Sequence, residues 1–360
     1  MSRVARRLAI LRVGGAPGDM DRGTQRPLWS AADETTLLGP DQLLEVGREA
    51  FDTSPRARAA RSARAALRRM EPVVLLAPRW SATERFLEDL AQDLAVGEPT
   101  VACRVVGFRH LQGRGVVEAW RHTLQLLGRL VDGAPRAELP SGVADRRGFR
   151  WALDELLETI HEKAMHRTAL LAHGCDALPV ELLDDLVAAW RDYYARHPEH
   201  RRVTSLFAAA DTARWLAVEG RPIIYLADYA ETEALAAMVG RAGPKPLRSL
   251  ERAARFTGGI PALVERLADF ARVGGALPSR PKEILDALGG LAEELRGAVD
   301  IVCAHELLAE RLASLQHGEP TPMVPELDRQ LITAGLLRPL RTARGPEVAL
   351  RAPAIALFVT

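Results

Sequence analysis

Five short apolar runs, separated by segments of helical length, set the strongest constraint on what this chain can fold into: residues 73–77, 101–108, 168–172, 202–209 and 222–226. The first, Val73-Val74-Leu75-Leu76-Ala77, contains no polar residue, which predicts a strand covered on both faces, as in a parallel sheet. Helices are expected at about 81–94, 116–131, 147–164 and 180–196. Strands alternating with helices of that length predict a doubly wound α/β domain over residues 55–228.

The flanks read differently. Residues 1–54 lack sustained periodicity and carry Gly14-Gly15, Pro17-Gly18 and Gly39-Pro40, the pattern of an arm with short elements. From 56 to 70 the chain is rich in alanine and arginine, both strong helix formers. Its arginines at 58, 61, 64 and 68 fall at three- and four-residue steps and line one face, a solvated surface or one that meets an anion or a partner. Beyond 228 the strand signal stops. Helices at 230–241, 246–256 and 261–272 predict a helical lid over 229–275, broken by Gly258-Gly259-Ile260-Pro261. After a Gly/Pro-marked linker, helices near 282–289, 291–303, 305–316 and 324–334 precede two short strands, 336–340 and 347–351. That order predicts a winged helix over 276–360.

Charge and cysteine usage narrow the functional classes. The 360 residues, 48% hydrophobic and 26% charged, carry 48 basic and 47 acidic side chains. So even a balance argues against bulk attraction to nucleic acid or membrane while leaving room for a local basic face. The basic residues include only three lysines, Lys163, Lys245 and Lys282. Cys103, Cys175 and Cys303 are odd in number and far apart, which argues against a disulfide framework and a zinc site and for a reducing cytoplasm. The basic start, Met1 to Arg7, is followed by an apolar stretch cut by Arg12, Gly14 and Gly15, too short for a signal peptide. No run approaches the roughly 18 apolar residues that span a bilayer.

Strand, loop and helix, a third strand ending in small and polar residues, a lid with Gly-x-Pro and a final winged helix together resemble the STAND and related AAA-type P-loop ATPases, over roughly residues 55–360. The resemblance implies a nucleotide cradled by the loop after the first strand. Backbone N–H groups at a helix N-terminus suit phosphate there, and a lysine adds a point charge. This loop reads Ala77-Pro78-Arg79-Trp80-Ser81-Ala82-Thr83-Glu84 against GxxxxGK[ST]. Ala77 and Ala82 stand at the two glycines, Thr83 at the lysine and Glu84 at the magnesium-binding hydroxyl. Alanine crowds the close approach that glycine permits, threonine removes the cation, and glutamate repels phosphate. The third strand ends Leu171-Ala172-His173-Gly174-Cys175-Asp176. Matching Asp176 to the family's later acid sets His173 at the magnesium-holding aspartate and Gly174 at the catalytic glutamate, and neither supplies that chemistry. Asp176 also suits the N-cap of the next helix. At the fourth strand's end, Ala208-Ala209-Ala210-Asp211 offers no neutral polar γ-phosphate sensor. Gly259-Ile260-Pro261 matches better, and the family's corresponding proline packs near adenine.

Other chemistries are weaker. His173-Gly174 also resembles the His-Gly of caspase-like proteases, but the partner cysteine's place is held by Ala208-Ala209-Ala210, and Cys175 is a neighbour in sequence only. His161, His166, His197 and His200 sit among charged residues and read as solvated. Asp154, Glu155, Glu158 and Glu162 recur at helical spacing as a polar face. Arg329, Arg338, Arg341, Arg344 and Arg351 cluster around the expected hairpin and suit phosphate contacts. Aromatics, at 5%, are too few for a single-strand stacking platform. The expectation is therefore a P-loop ATPase-like fold without catalysis of its own, needing no cofactor and no metal. Its expected role is regulatory or scaffolding, bound to a protein partner in the cytoplasm, in a bacterial defence or signalling system. A DNA-associated regulator using the winged helix, and a nucleotide-binding switch with an unusual loop, are the alternatives.

Overall fold

The Ala/Arg segment forms α1 (Pro55–Arg68), capped by the Ser54 hydroxyl, which accepts a hydrogen bond from the Ala57 N–H at 3.0 Å. Ala59, Ala63, Ala66 and Leu67 are buried at helical spacing, leaving Arg58, Arg61 and Arg68 exposed and Arg64 half-buried beside Asp93. The computed structural model describes residues 37–38, 54–97, 100–128, 145–163, 166–210, 223–243, 245–274, 276–278 and 280–359. They divide into two compact units, one of Arg58–Ala227 and the other of Asp228–Thr360 with the residues up to Ala57. In the arm, β1 (Leu37–Leu38) is described; its other residues before Ser54 lie outside the described residues.

The first unit is a three-layer α/β/α sandwich. Along the chain run β2 (Val73–Leu76), α2 (Thr83–Gly97), β3 (Val101–Gly107), α3 (Val116–Gly128), α4 (Arg146–Lys163), β4 (Arg167–His173), α5 (Val180–Arg196), β5 (Val203–Ala209) and β6 (Ile223–Tyr225). All five strands are parallel, in the order β3-β4-β5-β2-β6. Successive strand residues point to opposite faces: Val74, Leu170, Ala172 and Phe207 pack with α3, α4 and α5, while Val73, Leu75, Ala169, Leu171, Leu206 and Ala208 pack with α1 and α2. Burial on both faces is why β2, β4 and β5 read as continuous apolar runs. Leu67, Leu87 and Leu94 are fully buried under one face, and each such leucine contributes about 1.5–3 kcal/mol.

The second unit begins after β6. The three helices expected for the lid are present as α6 (Glu231–Ala242), α7 (Leu247–Thr257) and α8 (Pro261–Gly274), with the two-residue β7 (Lys245–Pro246) antiparallel to β1. Then come α9 (Pro281–Leu288), α10 (Gly290–Cys303), α11 (Glu306–Ser314), β8 (Thr321–Pro322), α12 (Pro325–Thr333), β9 (Leu337–Thr342), β10 (Gly345–Leu350) and the short α13 (Pro353–Ala356). The helix-then-hairpin order is as expected, and β8 adds a third strand on the far side of β10. Arg311 braces this region, donating two 2.8 Å hydrogen bonds to Asp328, whose carboxylate also accepts the Val324 N–H at 2.6 Å.

Two readings of polar residues need correction. Arg351 is not part of an exposed arginine cluster: its side chain is fully buried and paired with Asp228. His161 and His197 are not simply solvated. Their rings stack with centroids 4.0 Å apart, His161 Nδ1 hydrogen-bonds Tyr193 Oη at 2.8 Å, and His197 Nε2 hydrogen-bonds Glu158 at 2.9 Å.

Candidate functional site

The crossover after β2 lies on one face of the sheet, with α2, and those after β3 and β4 lie on the other, with α3, α4 and α5. Such a reversal opens a crevice at the carboxyl ends of the strands beside the switch point. Here that edge carries the 77–84 loop after β2, Ala209-Ala210 at the end of β5, His173-Gly174 at the end of β4 and Arg109 after β3. The sequence-predicted positions 77–84, 173, 174 and 176 thus share one rim of the first unit. Gly259-Ile260-Pro261 belongs to the second unit.

The loop is tied at its root by the Ala77 N–H, which donates to Ala209 O at 2.8 Å and extends the β2–β5 ladder by one bond. Pro78 starts a turn closed by the Ser81 N–H at 3.3 Å. Trp80 and Ala82 both lie in the left-handed region, with φ of 63° and 48°. A glycine adopts this conformation without penalty; a residue with a Cβ is strained in it. Ala82, standing where the ATPase pattern has its second glycine, therefore keeps a glycine's backbone without a glycine's freedom. Trp80 is only 9% exposed and Ser81 1%, so the loop folds its bulkiest side chain inward. Arg79, by contrast, is exposed. Ala82 O accepts the Phe86 N–H at 3.1 Å and opens α2, with Thr83 and Glu84 in its first turn.

An anion is favoured at a helix N-terminus, and here the chain's own Glu84 carboxylate stands in that turn, 4.0 Å from His173 Nε2. Burial pushes the His173 imidazole below its usual range, and nearby Glu84 opposes that shift. The ring lies close against Gly107: a Cβ there would sit 2.8 Å from its Cε1 and Nε2. Gly174, at φ 67°, fits closely against Arg109, whose Cγ a Cβ would meet at 2.8 Å. Arg109 is an exposed cation on this rim that motif matching passed over. Its signal in the sequence is its place directly after the second apolar run.

Asp176 does not cap α5, whose N-cap is Pro179 with no side-chain bond. Its carboxylate instead accepts the Ala210 N–H at 2.8 Å, satisfying the backbone where β5 leaves the sheet. Asp211 lies outside the described residues. Cys175 is fully buried, and burial drives its thiol far above the range in which a thiolate forms at neutral pH, so it serves no His173 dyad. Among the described residues no group of three or more His, Cys, Asp or Glu side chains is arranged to hold a metal ion. None of the described helices is long and apolar enough to cross a membrane.

In the second unit, Gly258 and Gly259 are both left-handed, at φ 59° and 77°, and end α7. Gly259 O accepts the Tyr229 N–H at 2.9 Å, Ile260 is fully buried, and Pro261 begins α8. At the hairpin, Arg338 and Arg344 are exposed, and Arg341 pairs through the backbone with Pro346.

The α/β unit with this strand order and loop position defines a P-loop ATPase fold. No family model matches the chain, and no curated protein does. Among solved structures it resembles a Walker-type ATPase of Pyrococcus abyssi, with a TM-score of 0.58 at 12% identity over 84% of this chain and 95% of that one. A point variant of RuvB of Thermotoga maritima aligns over 84% and 92% at 16% identity with a TM-score of 0.39, and Cdc6p of Pyrobaculum aerophilum over 80% and 87% at 14% with 0.42. The expectation that this chain is no enzyme is overturned here: its fold is one that a Walker-type ATPase carries along nearly its whole length. The substitutions between Ala77 and Glu84 leave that fold in place.

Proposed function

We propose that this chain is a regulatory or scaffolding protein that uses a P-loop ATPase fold, in the manner of STAND proteins, to engage a protein partner in a bacterial defence or signalling system. The observation that carries the reading is the 77–84 loop. Ala82, at the position of the pattern's second glycine, holds a glycine conformation, while its neighbours are turned to packing: Trp80 and Ser81 inward, Glu84 toward His173. The Arg58, Arg61 and Arg68 face of α1 supports a partner surface, since arginine contributes strongly at protein interfaces.

The test is purification of the tagged full chain from its native host, with size-exclusion chromatography and measurement of phosphate release from magnesium-ATP on the same fractions. The reading expects co-elution with one protein at fixed stoichiometry, lost when Arg58 and Arg61 become glutamate. Elution of the chain alone, unchanged by those substitutions, defeats it.

A second reading, DNA association through a winged helix, rests on the exposed Arg338 and Arg344 of the hairpin. It expects salt-dependent duplex binding that falls when both become alanine. Against it, the exposed surface of α12, which precedes the hairpin, sets Glu326 beside Arg329 and so offers phosphate no uniform charge.

A further inference from the structure

We infer that the helical lid and the C-terminal helices and hairpin form one rigid lever, interlocked at Asp228, Gly258-Gly259 and Arg351. The lever belongs to the second unit alone and is independent of the partner's identity. Its single body differs from the sequence expectation of two joined by a linker.

Three stretches of chain, distant in sequence, meet at this joint. Arg351 leaves β10 with its side chain fully buried. Its Nε donates to Asp228 Oδ2 at 2.7 Å, its Nη2 to Asp228 Oδ1 at 2.5 Å, and its Nη1 to Gly335 O at 3.5 Å. The charges of such a pair are both out of water, and separating them leaves each uncompensated, so the pair is a poor candidate for reversible opening. The backbones also interlock. A Cβ at Gly258 would lie 2.1 Å from Arg351 O and 2.8 Å from Ala352 Cα, and one at Gly259 2.2 Å from Tyr229 O. The Tyr229 N–H donates to Gly259 O at 2.9 Å, and the Arg351 N–H donates to Leu336 O at 3.0 Å. The start of the lid, its α7–α8 turn and both ends of the hairpin are thus held by main-chain contacts with no room for a side chain to slide.

Surrounding groups stiffen the joint. Tyr229 Oη donates to Glu265 on α8 at 3.2 Å, and the Arg56 guanidinium lies 5.1 Å from the Tyr229 ring centroid. Glu233 accepts both the Ser54 hydroxyl at 2.6 Å and the Ala230 N–H at 2.7 Å. At the chain's end, Gln316 Nε2 donates to Val359 O at 2.7 Å and Arg296 covers the Phe358 ring. A displacement of the lid therefore carries the hairpin, with Arg338 and Arg344, by the same rotation.

The experiment is pulsed dipolar electron paramagnetic resonance on the full chain. Spin labels go on cysteines replacing the exposed Arg252 of α7 and Arg329 of α12, with Cys103 and Cys303 changed to serine. The lever expects a single narrow distance distribution, with the same maximum in buffer, in magnesium-ADP and in magnesium-ATP. Arg351→Met and Gly258→Ala should each broaden it. Because Gly258→Ala has no space for its Cβ and can unfold the unit, Asp228→Asn, which keeps shape and removes charge, serves as the conservative variant and should broaden it as well. Two maxima in the unsubstituted joint, or a nucleotide-induced shift of about 5 Å, the scale of a one-turn slip between packed elements, overturns the proposal. So does an unbroadened distribution in both Arg351→Met and Asp228→Asn.

Discussion

Ala82→Gly should stabilise the first unit, against the usual expectation that a glycine introduced at the start of a helix weakens it. Ala82 holds φ at 48°, and a non-glycine residue in the left-handed region costs roughly 1–2 kcal/mol, which glycine relieves. Glycine also brings a more flexible unfolded chain, a penalty of about 0.4–1 kcal/mol. Ala82 opens α2 as its cap, where glycine is preferred over alanine, so a few tenths of a kcal/mol return. The balance is a gain of about 1 kcal/mol, which for a domain of this size raises Tm by roughly 2–4 °C. The assay is thermal unfolding followed by tryptophan fluorescence, with urea denaturation as a second measure. Ala82→Val is the control: a β-branched residue at positive φ should lower the midpoint by a similar or larger amount. A fall in midpoint with glycine, of the size seen for glycine in ordinary helical positions, refutes the left-handed assignment.

At the Asp228–Arg351 pair, each single substitution, Asp228→Leu or Arg351→Met, should cost about 3–5 kcal/mol, while the two together should cost much less than the sum; a double-mutant cycle in urea checks this, and simple additivity contradicts it. Asp176→Ala should cost about 1–3 kcal/mol by leaving the Ala210 N–H without its carboxylate acceptor, and Asp176→Asn less, since its amide oxygen still accepts. The pH dependence follows from His161 and His173, both held below the usual histidine range, chiefly by burial. The unfolded chain then binds protons that the folded one does not, so stability is full above about pH 6.5 and falls as pH drops through that value toward the lowered folded one. For Glu158, burial alone would raise its carboxyl, but hydrogen bonds from His197 and Arg196 outweigh that and hold it low, so its contribution is lost only further into acid, as pH falls toward its lowered folded value. His161→Gln and His173→Gln should each flatten the loss between about pH 7 and about pH 5.5, measured as the urea midpoint against pH.

The sheet was legible because its strands are buried on both faces: Val73, Leu75, Leu170, Leu171 and Phe207 leave no room for polar alternation, and an apolar run this short, bounded by turn residues, suits a covered strand better than a helix. The helices were legible from α1's alanine and arginine content with Arg58, Arg61, Arg64 and Arg68 at helical steps, and from the Gly258–Pro261 break. What was not legible depends on pairs far apart in the chain. Arg351 reads as one more basic residue near a hairpin until Asp228 is found opposite it, 123 positions away. A local signal did exist, a lone charge within Val348-Ala349-Leu350-Arg351-Ala352-Pro353-Ala354-Ile355, where every flanking residue is apolar. Asp176 misled for the converse reason. An acid shortly before a helix is the ordinary cap, and only the fold reveals that β5 ends with an N–H needing an acceptor more than α5 does.

The candidate rim combines both kinds of information. Strand order and the reversal of crossovers, which set the 77–84 loop and His173-Gly174 on one rim, are visible only in the fold; the sequence carried the doubly wound class and the loop itself. Charge at the rim is decided by which residues the fold brings near one another. Arg109 stands beside Gly174 because β3 and β4 are neighbours in register, with Gly107 opposite His173, and Glu84 reaches His173 from the first turn of α2. Motif matching assigns a role to each position by analogy with a lysine, a hydroxyl and two acids. It has no means of finding a cation delivered from a different strand. Arg79 and Arg109 are therefore the residues to vary first when nucleotide binding is measured. If magnesium-ATP is bound here, loss of binding should follow Arg109→Ala as well as any change in the loop.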